Sequence, residues 1–327
     1  MITLPRLFVL SKNGLIDYLD LILDSNMAQT KTYLRWCRGF GPELDAKKRI
    51  QSRGFEPLPT GWFLYYQNSK NKNPTKCTYC TMSDKSIDEQ IVNLYAKFSK
   101  YADRLFYIQY SFDQSKVDLI EYTIKDSNKQ NIVGHIPKLD IKLFQFINGE
   151  FISVEISNLI SPMDEKRMPV CNRKGTGNEL RYLESYDYSE ILDIYAQRYL
   201  LSNILRECKG YACDIDHIGF LDDELIIIES KSKDPANKKL KRDGDFNNSS
   251  NWYFGWDWRR FAHYMELYYN TGINTVYLIE ELDDQKNRKV VGYKYLQLSE
   301  ILKQSSWGEG GDTNNIPYDA FNDFLTL

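Results

Sequence analysis

The chain has 327 residues, 42% of them hydrophobic and 27% charged, and carries a net charge of −3. That length predicts one large domain or two ordinary ones, able to bury a core without staples. The charge excludes a globally basic nucleic-acid binder, so any such contact needs a local basic patch.

Residues 11–55 read as helical, with Leu15, Tyr18, Leu19 and Ile22 at spacings of three and four. Residues 60–66 (TGWFLYY) read as a strand and 67–76 as a polar loop. Ser86 is the expected cap of a helix over 87–101. Strand-like runs follow at 105–112, 117–124, 138–147 and 150–156. The last two flank Asn148-Gly149, a strong hairpin signal, and its register sets Lys142 opposite Glu155 as an ordinary cross-strand ion pair. Residues 158–179, rich in Pro, Gly, Asn and charge, read as a linker, with a boundary near 175. Beyond it come an amphipathic helix (188–207), strands at 212–221 and 224–231, a basic loop (232–251) and a helix over about 255–270 ended by Gly272. Strands at 274–281 and 289–298 and a short helix at 299–304 complete the order. The expected fold is α/β (α+β): an N-terminal α+β domain, 1–175, and a C-terminal domain, 176–327, whose mixed sheet packs against helices.

The chemistry sits in CDIDHIGFLDDELIIIESKSK, residues 213–233. A two-residue turn at Asp222-Asp223 pairs 221 with 224 and, continuing outward, Asp216 with Glu229. Opposed residues have Cβ atoms about 4.5–5.5 Å apart. Two carboxylates so close repel unless a cation lies between them, and hard oxygens suit Mg²⁺, with Mn²⁺ as substitute. Alternation puts Lys231 on the face of Glu229, opposite Asp214, and Ile226 and Ile228 on the core face. Lysine there can stabilise phosphate charge, position water, or take a proton if its pKa is depressed. The competing reading is an ion-pair cluster on an exposed hairpin face.

Asp216, followed 13 residues on by Glu229-Ser230-Lys231, resembles the PD-(D/E)XK nuclease superfamily. The wording DIDHIGF…IIIESK is similar to the nuclease-related domain and to archaeal Holliday-junction resolvases, over roughly residues 185–300. Ile215 stands where the family name has proline, and pairing geometry favours Asp216 over Asp214 as the ligand. The resemblance implies a restriction-endonuclease-like core, a Mg²⁺-dependent endonuclease and a double-stranded DNA substrate, with a homodimer as a further expectation. It also implies an acid from the preceding helix. Glu190, Asp193 and Glu184 are the candidates, and Glu190 is preferred because it shares a face with Ile194, Gln197 and Leu201.

Lys233, Lys238, Lys239, Lys241 and Arg242 follow the motif, and Arg259 and Arg260 follow an aromatic run at 252–258. These are the candidate nucleic-acid contacts, against readings as a solvated loop and a helix entry. His217 and His263 read as structural. Cys77-Thr-Tyr-Cys80 lacks a second pair for zinc, Cys37 and Cys171 being lone. Six cysteines so scattered point to a reducing compartment. No leader and no apolar run of about 18 residues is seen, so a cytoplasmic location without membrane contact is expected. The expected role is a restriction or other defence nuclease, with residues 1–175 for recognition or sensing. Alternatives are a repair or recombination nuclease, an RNA or single-strand nuclease, and a non-catalytic nucleic-acid-binding protein.

Overall fold

The computed structural model describes residues 9–26, 30–67, 74–125, 130–156, 159, 178–204, 210–234, 253–283, 290–304, 306–307 and 313–324. The protein is a mixed α/β chain that divides into two compact units: Met1–Gly41 with Gly61–Ala212, and Pro42–Thr60 with Cys213–Leu327. The division thus falls after the expected boundary near 175, which lies outside the described residues. Residues 42–60 join the second unit for a packing reason. Ala46, Ile50 and Phe55 belong to one apolar cluster with Ile226, Ile228, Val276, Leu278 and Phe324.

In chain order the first elements are α1 (Lys12–Asn26), α2 (Thr30–Cys37), α3 (Phe40–Gln51) and β1 (Glu56–Leu58). Leu15, Leu19 and Ile22 of α1 are buried, as their helical spacing requires. Then come β2 (Gly61–Gln67), β3 (Pro74–Ser83), α4 (Glu89–Phe98), β4 (Arg104–Ser111), β5 (Leu119–Lys125), β6 (Asn131–Pro137), β7 (Asp140–Ile147) and β8 (Glu150–Val154). The cap of α4 is Asp88, not Ser86, because the Asp88 carboxylate accepts from the Ile91 N–H at 2.9 Å. Asn148 and Gly149 both have positive φ and set the predicted register, Ile147 opposite Glu150 through Leu143 opposite Val154. The ladder stops there, one step short of the expected Lys142–Glu155 pair. After α5 (Tyr188–Tyr199) and a π-helical turn over Leu200–Ile204, β9 (Gly210–Asp214) joins a sheet of order β8-β7-β4-β3-β2-β9.

The second unit continues with β10 (His217–Leu221), β11 (Glu224–Lys233), β12 (Tyr253–Asp257), α6 (Trp258–Thr271), β13 (Asn274–Leu282), β14 (Val290–Gln297), α7 (Leu298–Gln304), β15 (Ser306–Trp307), β16 (Thr313–Pro317) and β17 (Asn322–Asp323). Its main sheet has the order β1-β10-β11-β13-β14-β17. β11 and β13 are parallel, with α6 between them in sequence, and the other pairs are antiparallel. The helix expected from 255 starts at Trp258, because 253–257 pair with β16 near the other end of the chain. Gly272, at φ 72°, ends α6 as expected. Ile226 and Ile228 face the apolar cluster, so alternation turns Glu229 and Lys231 to the opposite side of the sheet. Among the described residues no helix is long and apolar enough to cross a membrane.

Candidate functional site

The β10–β11 hairpin turns on Asp222 and Asp223, at φ 50° and 63°. A tight two-residue hairpin turn needs this left-handed pair, and aspartate tolerates it better than most residues. The turn fixes the predicted register, from Leu221 opposite Glu224 to His217 opposite Ile228. The ladder ends there, and Asp216 lies in a bend just before it. Its carboxylate still reaches β11. Asp216 Oδ2 accepts from the Ser230 N–H at 2.9 Å and from Lys231 Nζ at 3.0 Å. Lys231 Nζ also contacts Glu229 Oε1 at 2.7 Å. The three residues proposed from spacing therefore converge, with the lysine ammonium between the two carboxylates.

Asp214 is not paired with Lys231 in the β10–β11 ladder. The bend at 215–216 stops the hairpin register, and Asp214 belongs to β9. Its Oδ1 accepts from Arg260 Nη2, while Arg260 Nη1 donates to Glu229 Oε1 at 2.6 Å. Arg260, a candidate nucleic-acid contact by sequence, stands inside the carboxylate cluster. One helical turn on, Tyr264 donates to Glu229 Oε2 at 2.7 Å, with the Asp214 carbonyl 3.2 Å away. Sequence reading missed Tyr264. The available signal was the i,i+4 spacing of Arg260 and Tyr264, which puts both on one helix face. Beneath them Trp256 stacks on Tyr277 at 4.3 Å and 11°, and Tyr277 donates to the Gly255 carbonyl. Both rings are buried.

Burial pushes the Asp216 carboxyl up, the charge of Glu229 adds to this, and Lys231 only partly offsets them, leaving it at about 8. Glu229 has no exposed surface. Burial opposes its ionisation too, but Lys231 and Arg260, with hydrogen bonds from Lys231 and Tyr264, hold it at about 2. Burial works against the Lys231 ammonium, yet Asp216 and Glu229 outweigh it and raise the pKa above that of an ordinary lysine. Lys231 is thus held as a cation between the two carboxylates. Burial also drives His217 and His263 down to about 3, so both rings are neutral. His217 Nε2 lies 3.3 Å from Ser230 Oγ.

Among the described residues no three His, Cys, Asp or Glu side chains group as a ready-made metal cage. The carboxylates of the site are interleaved with Lys231 and Arg260 instead. The donor set still fits a hard divalent cation. Every described donor that reaches Asp216 ends on Oδ2, which leaves Oδ1 as a carboxylate oxygen for a metal. Asp216 and Glu229 are the residues that could hold Mg²⁺ or Mn²⁺.

Glu190 lies in the first unit, where its Oε2 accepts from the Asp187 N–H at 2.9 Å at the start of α5. Its observed role is a helix cap. Lys233 Nζ sits 5.7 Å from the Tyr277 ring centroid. Lys238, Lys239, Lys241, Arg242 and the side chain of Arg259 lie outside the described residues. Cys77 and Cys80 are buried on β3, where a spacing of three turns them to opposite faces. The chain matches no protein-family model, no curated protein and no solved structure.

Proposed function

We propose that this chain is a Mg²⁺-dependent phosphodiester hydrolase acting on nucleic acid, and an endonuclease of double-stranded DNA in particular. One observation carries the reading. Asp216 and Glu229 converge on the Lys231 ammonium at 3.0 and 2.7 Å, while the described donors to Asp216 all end on Oδ2 and leave Oδ1 for a cation. Burial and the charge of Glu229 together raise the Asp216 carboxyl to about 8, a repulsion that a divalent cation between the two would relieve. The choice of DNA, and of a restriction or other defence role, rests on the resemblance of the Asp216…Glu229-Ser230-Lys231 motif to PD-(D/E)XK nucleases. Residues 1–175 are assigned recognition or sensing from their position as a large region preceding the motif.

Asp216 and Glu229 would hold the cation, which when bound supplies Lewis acidity toward a phosphate oxygen and acidifies a water. Lys231, with a third ammonium donor beyond its two carboxylate contacts, stabilises the charge that develops on the phosphate. Tyr264 holds Glu229 through a 2.7 Å hydrogen bond, and the carboxylate has no surface exposed to bulk water. Circular DNA and RNA incubated with the protein in Mg²⁺ or Mn²⁺, beside Lys231→Ala, test the proposal. Cleavage by the wild type should fall on the order of 100-fold or more in the variant. Failure of the wild type to cut either nucleic acid with either metal would refute the enzyme reading. Discrete fragments would indicate sequence-specific cutting.

A further inference from the structure

On the face of the main sheet opposite Glu229 and Lys231, the second unit contains a cavity of about 110 Å³. Ile50, Phe55, Ile226, Ile228, Val276 and Phe324 line it, and all six are buried members of one apolar cluster. Close-packed interiors leave few voids larger than a water molecule, so this core keeps more room than its own side chains need. The mouth has a different character. Arg53, just past the end of α3, and Asp222, in the β10–β11 turn, also line the cavity, and both are exposed. Among the described residues neither side chain has an ion-pair or hydrogen-bond partner. A cation and an anion therefore stand open at the rim of an apolar chamber.

The chamber and the rim select different parts of one ligand. An apolar cavity of about 150 Å³ admits benzene. One of about 110 Å³ suits a smaller group, a branched aliphatic chain rather than an aromatic ring. At the rim a lone carboxylate would pair with Arg53 and be repelled by Asp222, and a lone ammonium would meet the reverse. A zwitterion satisfies both. A guanidinium takes a carboxylate through two parallel hydrogen bonds, and a carboxylate such as Asp222 accepts from an ammonium. We propose that this cavity binds a free branched-chain aliphatic amino acid: the side chain fills the space beside Ile226, Ile228 and Val276, the carboxylate meets Arg53 and the ammonium meets Asp222. Ile226 and Ile228 belong to β11, whose other face carries Glu229 and Lys231. The ligand thus packs against the back of the strand that holds the candidate site. Binding there requires neither a metal nor a nucleic acid.

Titration of the methyl-labelled full chain, followed by nuclear magnetic resonance, tests this with L-leucine, isocaproate and isoamylamine. The two analogues keep the aliphatic chain, and each lacks one of the charged groups. Leucine should shift the Ile226 and Val276 methyl resonances more than those of Ile279, which alternation turns to the other side of the sheet. Each analogue should bind more weakly than leucine, on the order of tenfold. Arg53→Gln should weaken leucine and isocaproate by a similar factor and spare isoamylamine. Asp222→Asn should weaken leucine and isoamylamine and spare isocaproate. Asparagine tolerates the φ of 50° at this turn position, and Arg53 is exposed, so both variants should fold. L-tryptophan should not bind. No leucine binding at millimolar concentrations, or leucine binding that neither variant weakens, overturns the proposal. Isocaproate or isoamylamine binding as tightly as leucine overturns it too, because a single charge would then suffice. If a variant does not fold, as judged by near-ultraviolet circular dichroism, the ligand series on the wild type decides alone.

Discussion

Asp216 and Glu229 share one lysine, yet they are not equivalent. Glu229 collects Lys231, Arg260 and Tyr264, whereas Asp216 has Lys231 and the Ser230 N–H. The site therefore keeps Glu229 ionised and leaves Asp216 as the residue that titrates near neutrality, at about 8. An unfolded aspartate titrates near 3.9. Between these values the folded chain holds a proton that the unfolded chain lacks. The stability linked to Asp216 is thus fully present below about pH 4 and is lost as pH rises toward 8, by at most about 1.4 kcal/mol per pH unit. Glu229, held at about 2, acts in the opposite sense, and only below roughly pH 4, where an unfolded glutamate begins to protonate. Urea unfolding from pH 7 to 8 in the presence of a chelator, above the range where the neutral His217 and His263 act in the opposite sense, should show this decline in the wild type, and a shallower one in Asp216→Asn. Equal slopes in the two proteins would mean that Asp216 is ionised throughout.

At the level of elements, the hairpin positions the site and its neighbours hold the hairpin. Edge strand β1 pairs with β10, Pro57 opposite Gly219. A Cβ at Gly219 would lie 2.1 Å from the Glu56 carbonyl oxygen and 2.8 Å from Phe55 Cζ. Glycine is needed there for close approach of two backbones, and any side chain would push β1 and Phe55 out of the apolar cluster behind Ile226 and Ile228. Gly219→Ala should cost about 1–3 kcal/mol, the usual range for overpacking, read from the urea midpoint. An unchanged midpoint would show that β1 is not seated against β10. The same elements mark how far local rules reach. Alternation and a two-residue turn are local, so the β10–β11 register and the shared face of Glu229 and Lys231 were legible. The bend at 215–216 was not, because it marks the passage from β9 in one sheet to β10 in another. Asp214 supports the site through Arg260, outside the expected cross-strand pairing with Lys231, for that reason. The β1–β10 and β12–β16 pairings join distant segments, and no local periodicity announces them.

For the whole molecule, the high aromatic content resolves largely into core. In the first unit Phe63, Tyr79 and Phe98 pack with ring centroids 4.6–5.2 Å apart, and in the second Trp256 and Tyr277 underlie the site. The α/β class was legible from the alternation of helical and strand-like runs. The two-unit division was not, because 42–60 return to a unit whose remaining residues begin at Cys213, and sequence order gives no sign of that return. The described charged groups of the site, Asp214, Asp216, Glu229, Lys231 and Arg260, all belong to the second unit, so the proposed chemistry stands or falls on one constellation. Single-turnover hydrolysis of end-labelled DNA and RNA in Mn²⁺, by the wild type, Asp216→Asn and Glu229→Gln, tests it most directly. Scission by the wild type that requires the divalent cation and falls on the order of 100-fold or more in both variants is the predicted result. Scission that persists in both variants, or that survives removal of the cation by a chelator, would contradict the assignment of Asp216 and Glu229 as the metal-holding pair.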